Sequence, residues 1–371
     1  MQENSNDQDP DEWLQINTEG AAPAIGKDEV ELLHERNAES GSIFMPTEEP
    51  ISWMVQFLVA VAISSGMAFI GIGLAYSSPA LLSLREDANR GFQMSTQKES
   101  WFGSCHFLGA FLGAFIGGPV SHKLGRKRAL ELCVCPLLLG GFLCLGVAKY
   151  LFVLLIGRAL VGIACGITTT IIPMYLAEVA AASIRGSLGI LTQIMLLSGV
   201  VIIFIFGTLL DYHWMGYASA TLVAPFWVVI FLCPESPTWL VYTGQHGKAR
   251  RSLSKIKGPK YDHESEVKYL DFHLNQNVAK EHKNWKNARN LVPLFASVIL
   301  LSTHGLSGGI DTVTYLALIF QRLKIPINGS LIGVVFAVGQ VFVLVVFALV
   351  VDRMPRKFYL IFSACLTIAL L

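Results

Sequence analysis

Charged residues are scarce in this chain of 371 residues. Asp, Glu, Lys and Arg together make up 15% of it, whereas 53% of the residues are hydrophobic. An average soluble domain carries roughly 25% charged residues. The mean hydropathy is +0.53. This composition argues against a soluble globular protein and indicates a chain that is embedded in a lipid bilayer.

Patterns of catalysis, metal binding and secretion are also missing. The seven cysteines lie in or beside apolar stretches, and their spacing matches neither a disulfide framework nor a metal site. The N-terminus lacks the order of charged, apolar and small residues that marks a signal peptide. The segment "GLSGG" (Gly305 to Gly309) matches the nucleophile pattern of hydrolases, but that pattern requires a strand-to-helix turn and here falls inside an apolar stretch. We therefore expect no metal, no cofactor and no enzymatic activity.

Long apolar stretches are what the sequence has in abundance. A helix that crosses a bilayer needs about 20 mostly apolar residues, and eight stretches meet this requirement, with a ninth opening near Phe358. Spans 1 to 8 are predicted at Trp53–Leu84, Trp101–Val120, Leu130–Ala148, Leu151–Ala177, Ser187–Leu210, Gly216–Cys233, Leu291–Phe320 and Ser330–Val351. Lipid offers the backbone no hydrogen-bond partners, so each stretch is expected to be a helix. The predicted fold class is an all-α integral membrane protein.

Lys and Arg are distributed unevenly among the segments that connect the spans. The segments after spans 2, 4, 6 and 8 carry far more of them than the segments after spans 1, 3, 5 and 7. Positively charged loops stay in the cytosol, so the N-terminus and the first group are predicted to be cytosolic. This group includes two basic segments, "SHKLGRKRAL" (Ser121 to Leu130) and "VDRMPRKFYL" (Val351 to Leu360). Asn328, in a glycosylation sequon, is then predicted to face outside.

Composition divides the chain into four predicted regions. Residues 1–50 form an acidic, disordered cytosolic tail, residues 51–233 a six-helix bundle, residues 234–290 a cytosolic helical linker, and residues 291–371 part of a second bundle. The tail contains "DEVELL", in which Asp28, Leu32 and Leu33 form an acidic dileucine pattern. This pattern is either a sorting motif for a clathrin adaptor or a chance match in a Glu-rich segment. The linker is basic but has no nucleic-acid-binding pattern, and we expect no nucleic-acid partner.

Several motifs resemble those of a known family. "HKLGRK" and "DRMPRK" align, and each follows the second helix of a six-helix unit, as in the parallel repeats of major facilitator transporters. The segments "GGPVSHKLGRKR", "PMYLAEVAAASIRG", "PESPTWL" and "VDRMPRK" occur in the order of the sugar porters of that superfamily. The chain most resembles facilitative glucose transporters and insect facilitated trehalose transporter-like proteins, from about Trp53 onward. The resemblance implies the major facilitator fold, with a six-helix N-terminal bundle and an incomplete second bundle of spans 7, 8 and the start of 9.

The resemblance also implies a conformational latch at the cytosolic ends of the spans. Its predicted members are Arg126, Glu178, Arg185, Glu235 and Arg353. In the family this charged cluster holds the outward-open state, and opening inward breaks it. The alternative is a set of surface charges that act independently. A further charge, Arg158, opens span 4 from the outer side as either a lipid anchor or a structural partner of backbone carbonyls.

The substrate site departs from the family pattern. The resemblance implies amide side chains on spans 5, 7 and 8 that bind sugar hydroxyls, and among the aligned positions only Gln193 keeps an amide. His304 and Asp311, seven residues apart on span 7, are the predicted replacements, and Tyr315 completes the candidate set. Alternatively, Asp311 merely reaches outer water. The expected substrate is a hexose or a disaccharide such as trehalose.

These features predict a facilitative sugar carrier that works by alternating access. Between Ile51 and Leu84 there is no Asp or Glu that could take up a proton, so uniport is expected. The alternative is a proton-coupled sugar symporter in which Asp311 carries the proton. The second unit has only two spans and part of a third. Either the chain is incomplete, or it is a non-transporting sensor or regulator of the same fold. The expected location is the plasma membrane or an endosomal or lysosomal membrane.

Overall fold

The computed structural model describes residues 53–86, 94–180, 185–258, 261–284, 288–323, 329–350 and 361–362. Every regular element in these ranges is helical. Seven helical segments among them are long and apolar enough to cross a membrane. Asp28, Leu32, Leu33, Asn328 and Arg353 lie outside the described residues, as does most of the ninth apolar stretch.

Spans 1 to 6 form the larger part of the described chain. Span 1 consists of three consecutive helices, Trp53–Ser64, Gly66–Ala75 and Ser77–Glu86; span 2 is Thr96–Leu124, span 3 contains Cys135–Val147, span 4 is Leu151–Val179, span 5 is Arg185–Leu209 and span 6 is Tyr212–Leu232. Span 2 begins five residues before the predicted Trp101. Ser95 caps its polar first turn by accepting the Lys98 N–H, so hydropathy alone places the start of this helix too late.

The first basic segment was predicted as a loop, and the structure corrects this. The span 2 helix continues to Leu124, Gly125 alone reverses the chain at φ +96°, and a new helix starts at Arg126. A short π-helix, Leu130–Val134, then leads into span 3. A left-handed φ is readily adopted by glycine, so one residue suffices for the turn. The basic side chains therefore stand on helix ends with defined positions.

Spans 2 and 4 approach each other through glycines. A Cβ atom added at Gly109 or Gly113 would lie 2.3 or 2.1 Å from a carbonyl oxygen of span 4. A Cβ atom added at Gly162 or Gly166 would lie 2.2 or 2.1 Å from a carbonyl oxygen of span 2. Small residues at such crossings let two backbones come into contact in a membrane. These glycines therefore serve helix packing.

The linker contains three helices, Pro237–Tyr242, His246–Lys257 and His263–Asn284. They share a small apolar core of their own. Trp239, Leu240, Ala249 and Leu253 are among its buried residues. The last of these helices runs for 22 residues.

Span 7, which is predicted over Leu291–Phe320, is not a single helix. It consists of Ala288–Leu306 and Gly309–Arg322, separated at Gly308, whose φ of +76° is left-handed. The second helix packs against the Ser77–Glu86 helix of span 1, and span 8 (Gly329–Val350) packs against span 5. The left-handed backbone that produces this interruption is a feature of the tertiary structure.

Candidate functional site

A charged cluster lies at the end of the bundle where spans 2, 3, 4 and 6 meet the linker. Arg126 donates two hydrogen bonds to Glu178 Oε1, from Nη2 at 2.6 Å and from Nε at 3.2 Å. The two side chains are 12% and 15% exposed. Partial burial reduces solvent screening, so this pair interacts more strongly than an ordinary surface ion pair.

Glu235 joins the cluster through the backbone. Its Oε1 accepts the N–H groups of Arg126 and Lys127 at 2.9 Å each, and its Oε2 accepts that of Arg128 at 3.3 Å. It therefore caps the helix that follows Gly125, where a negative charge is favourable. Ser236 connects the two carboxylates, because its hydroxyl donates to Glu178 Oε2 while its N–H donates to Glu235.

Two aromatic side chains form further hydrogen bonds beside this charged cluster. The Trp239 indole donates to the His122 carbonyl at 2.8 Å, and the Tyr175 hydroxyl donates to the Pro234 carbonyl at 2.9 Å. Trp239 and Ser236 were not among the predicted latch residues, although both belong to the "PESPTWL" segment that carried the resemblance. Arg185 begins the span 5 helix, but its side chain and all of Arg353 lie outside the described residues.

Arg158 is completely buried inside the first bundle. It donates to the Gly73 carbonyl at 2.7 Å, to the Ser77 hydroxyl at 2.7 Å and to the Phe102 carbonyl at 3.2 Å. These partners belong to spans 1 and 2, so the guanidinium joins three spans. Of the two interpretations of Arg158, the structure supports the structural one, and no carboxylate is among its hydrogen-bond partners in the described chain.

The predicted substrate residues occupy different positions. Gln193 on span 5 and Asp311 in the first turn of the second helix of span 7 are both exposed. Tyr315 is half-buried, and its hydroxyl lies so close to Gly103 that an added Cβ atom would be 2.1 Å away. His304 belongs to the first helix of span 7, but its side chain is not described. No hydrogen bond joins Gln193, Asp311 and Tyr315 in the part of the chain that the structure describes.

A cavity between spans 5 and 8 contains an amide that the sequence analysis missed. Its volume is about 620 Å³, within the roughly 300–1,000 Å³ typical of small-ligand sites. Leu197, one turn after Gln193 on span 5, lines it together with Phe336 and Gln340 of span 8. The Oε1 atom of Gln340 is buried and accepts no hydrogen bond from any described group. The sequence carries one signal for this amide. Phe336 aligns with the span 8 Asn of the family, and Gln340 lies four residues, or one helical turn, after it.

Solved structures with a similar fold define the class of protein. The xylose transporter XylE from E. coli, in a partially occluded inward-open conformation, matches with a TM-score of 0.67 at 20% identity, over 82% of this chain and 72% of that one. The structure described as the MFS proton:xylose symporter XylE bound to 6-bromo-6-deoxy-D-glucose matches with a TM-score of 0.68 at 22% identity, over 82% and 70%. The predicted fold class is therefore confirmed: this is an integral membrane protein with the major facilitator fold.

The sequence comparisons identify the family. A family model described as "Sugar (and other) transporter" matches residues 54–371, and the chain belongs to this family. It is 31% identical over 327 residues to the facilitated trehalose transporter Tret1 of Anopheles gambiae, covering 86% of this chain and 41% of that protein. It is 30% identical over 331 residues to the Tret1 of Culex quinquefasciatus, covering 87% and 63%. The chain thus spans 41% and 63% of the lengths of these two relatives.

Proposed function

We propose that this protein carries a sugar across a membrane, down its concentration gradient, by alternating access. The observation that carries the proposal is that span 7 contacts the first bundle at one of its two ends. There, Ser78 Oγ of span 1 accepts the Ala317 N–H of span 7 at 2.8 Å. Tyr315 also fills the space beside Gly103. Towards the other end of span 7, every side chain from Val292 to Thr303 is exposed within the described chain.

Such one-sided closure is what an alternating carrier requires of a resting state. By the charge distribution, the closed end with Ser78 and Ala317 is the outer one. Arg126 and Glu178 then lie at the cytosolic end, where their ion pair holds the ends of spans 2 and 4 together. In the proposed latch, Arg185 and Arg353 add charges to this cluster, and contacts of these charges across the two bundles bias the equilibrium between the two states.

The proposed substrate is a hexose or a disaccharide such as trehalose. Sugar hydroxyls both donate and accept hydrogen bonds, and an amide provides both complements. Gln340 supplies such a group inside the cavity, and Gln193 lies one turn from its lining. His304, Asp311 and Tyr315 remain the proposed contacts on span 7.

Uniport is the mechanism that the first bundle favours. Arg158 is held by two carbonyls and a hydroxyl, none of which exchanges a proton near neutral pH. Between Ile51 and Leu84, span 1 offers no carboxylate to pair with it. Proton symport is the second candidate, because Asp311 is an exposed carboxylate on span 7.

The remaining assignments complete the proposed organisation. Residues 1–50 form a cytosolic tail, 51–233 the first bundle, 234–290 a cytosolic linker and 291–371 part of a second bundle. The carrier resides in the plasma membrane or in an endosomal or lysosomal membrane, where Asp28, Leu32 and Leu33 engage an adaptor and Asn328 faces away from the cytosol. We propose transport and not catalysis. A non-transporting sensor of the same fold is the alternative.

Uptake by the full-length protein in proteoliposomes tests the proposal. Labelled trehalose and labelled glucose should enter only vesicles that contain the protein, and excess unlabelled substrate should compete. Gln340→Ala should raise the KM about two- to tenfold, the effect of losing one hydrogen bond of 0.5–1.5 kcal/mol. Gln321→Ala, at an exposed helix end, is the control and should leave the KM unchanged. Absence of uptake of any sugar by the wild-type protein would favour the sensor.

A further inference from the structure

A second pocket lies where the linker meets the ends of spans 3 and 6, lined by residues of all three elements. Its volume is about 270 Å³, close to the lower limit of typical small-ligand pockets. Five basic side chains line it: Lys127, Arg128, Lys248, Arg251 and Lys255. It shares no lining residue with the cavity between spans 5 and 8.

The two carboxylates in this pocket do not neutralise it. Glu131 lies 3.5 Å from the Lys127 ammonium, and Glu235 accepts the backbone N–H groups described above. Arg128, Arg251 and Lys255 form no ion pair with any carboxylate that the structure describes. Three cations therefore line the pocket without a counter-charge.

The linker helix His246–Lys257 holds the cations on one face. Lys248, Arg251 and Lys255 are three and four residues apart, so they project from the same side. Ala249 and Leu253 on the other side are buried in the linker core. Like charges at this spacing repel one another and destabilise a helix. An anion bound between the charges would relieve this repulsion.

The position of the pocket indicates where this anion comes from. The Lys127 ammonium donates to the Phe231 carbonyl at 2.6 Å and lies 5.3 Å from the Phe231 ring centroid. Phe231 and Leu232, which end the membrane-spanning helix of span 6, are 69% and 73% exposed. Apolar side chains at the edge of a basic pocket match the depth at which lipid headgroups lie.

We propose that this pocket binds the phosphorylated headgroup of an anionic lipid in the cytosolic leaflet. Arg128, Arg251 and Lys255 would hold the phosphate oxygens by charge-assisted hydrogen bonds, with the guanidinium groups able to bind two oxygens each. A headgroup with several phosphates, such as a phosphoinositide, matches the surplus of cations better than a single phosphodiester. Soluble inositol phosphates offer the same chemistry, but they would not use the exposed apolar edge.

Direct binding to the full-length protein, purified in detergent, tests the proposal. The probe is a fluorescent short-chain phosphatidylinositol bisphosphate. The variant Arg128→Gln/Arg251→Gln/Lys255→Gln should bind it at least tenfold more weakly than the wild type. The control, Lys123→Gln/Arg250→Gln/Lys268→Gln, removes the same charge from exposed positions outside the pocket and should stay within twofold. Binding should also weaken as salt is raised.

The other outcomes are equally specific. Equal weakening by the control variant would show general surface attraction and overturn the site. If soluble inositol trisphosphate binds as tightly as the lipid, the proposal that the bound anion is a lipid headgroup is overturned. The single change Lys255→Gln, at the end of its helix, should weaken binding two- to threefold, and it serves as a test if the triple variant misfolds. If neither the triple variant nor Lys255→Gln weakens binding, the proposal is rejected. Because the readout is binding, neither result depends on sugar transport.

Discussion

The charged residues of this protein differ in how strongly they interact with their ion-pair partners. Arg126 and Glu178 are mostly buried and share two hydrogen bonds, whereas Arg250 and Glu264 in the linker are 50% and 56% exposed. Solvent screens the second pair far more than the first. Two ion pairs of the same chemistry should therefore make unequal contributions to stability.

The first prediction compares these pairs directly. Glu178→Gln should lower the free energy of unfolding by about 2–5 kcal/mol, because it leaves Arg126 partly buried without its counter-charge. Glu264→Gln should change it by less than about 1 kcal/mol. Chemical denaturation of the purified protein, followed by tryptophan fluorescence, measures both. Equal effects of the two substitutions would show that the cluster is an ordinary surface pair.

Arg158 supplies the second prediction at this scale. Arg158→Lys retains the charge but cannot reach two carbonyls and a hydroxyl with one ammonium group, so buried oxygens lose their donors. We expect a loss of at least about 2 kcal/mol in stability. The exposed Arg250→Lys is the matched control. Unchanged denaturation of the Arg158 variant would contradict the role of this side chain in joining spans 1, 2 and 4.

At the scale of elements, the crossing of spans 2 and 4 depends on the absence of side chains. Gly113→Ala should destabilise the bundle by about 1–3 kcal/mol, because the new methyl group overlaps a backbone carbonyl that cannot rotate away. Gly118 lies on the same helix with nothing within 4 Å of an added Cβ atom. Gly118→Ala should stabilise the helix by up to about 1 kcal/mol. Thermal unfolding in detergent should therefore shift in opposite directions for the two variants.

The interruption of span 7 gives a second contrast within one element. Gly308 has a left-handed backbone, which costs other residues roughly 1–2 kcal/mol, so Gly308→Ala should be destabilising by about that amount. Gly305, three residues earlier, lies in the helix and has open space around it. Gly305→Ala should be neutral or slightly stabilising. If thermal unfolding ranks the two variants the other way round, span 7 is continuous in solution.

At the scale of the whole molecule, the hydrogen bonds of Arg158 determine the expected energetics of the proposed transport, because none of its partners in the described chain is a carboxylate. In proteoliposomes, an imposed pH gradient of either direction should leave the initial rate of sugar uptake and the final accumulation ratio unchanged. Sugar addition should cause no alkalinisation of a weakly buffered medium. Proton uptake that disappears in Asp311→Asn would establish symport through span 7, in place of uniport.

Much of the fold follows from hydropathy and charge. Stretches such as Leu151–Ala177 are so apolar that only a membrane helix satisfies their backbone, and the structure has a helix at Leu151–Val179. Polar helix ends are invisible to this argument, so the start of span 2 was placed too late. The first basic segment was predicted as a loop because its charges resemble those of a loop, whereas a cap from the distant Glu235 makes it helical.

The candidate sites divide in the same way. Arg126, Glu178 and Glu235 could be named from motifs, because their residue types and order are local properties of the chain. The atoms that they contact could not be predicted from motifs, since Glu235 binds backbone N–H groups instead of the Arg126 side chain. The only sequence signal for the amide of Gln340 is its position one turn after Phe336, and no sequence pattern shows that the cations around Arg251 lack a carboxylate partner.

The local sequence thus determined that the described chain is helical and which of its stretches are apolar or basic, because each of these properties depends on residues that are neighbours in sequence. The tertiary structure decided where span 7 breaks, which carbonyls hold Arg158, and which cations remain without a counter-charge. These depend on distances between residues such as Arg128 and Arg251, which are far apart along the chain and line one pocket only after folding.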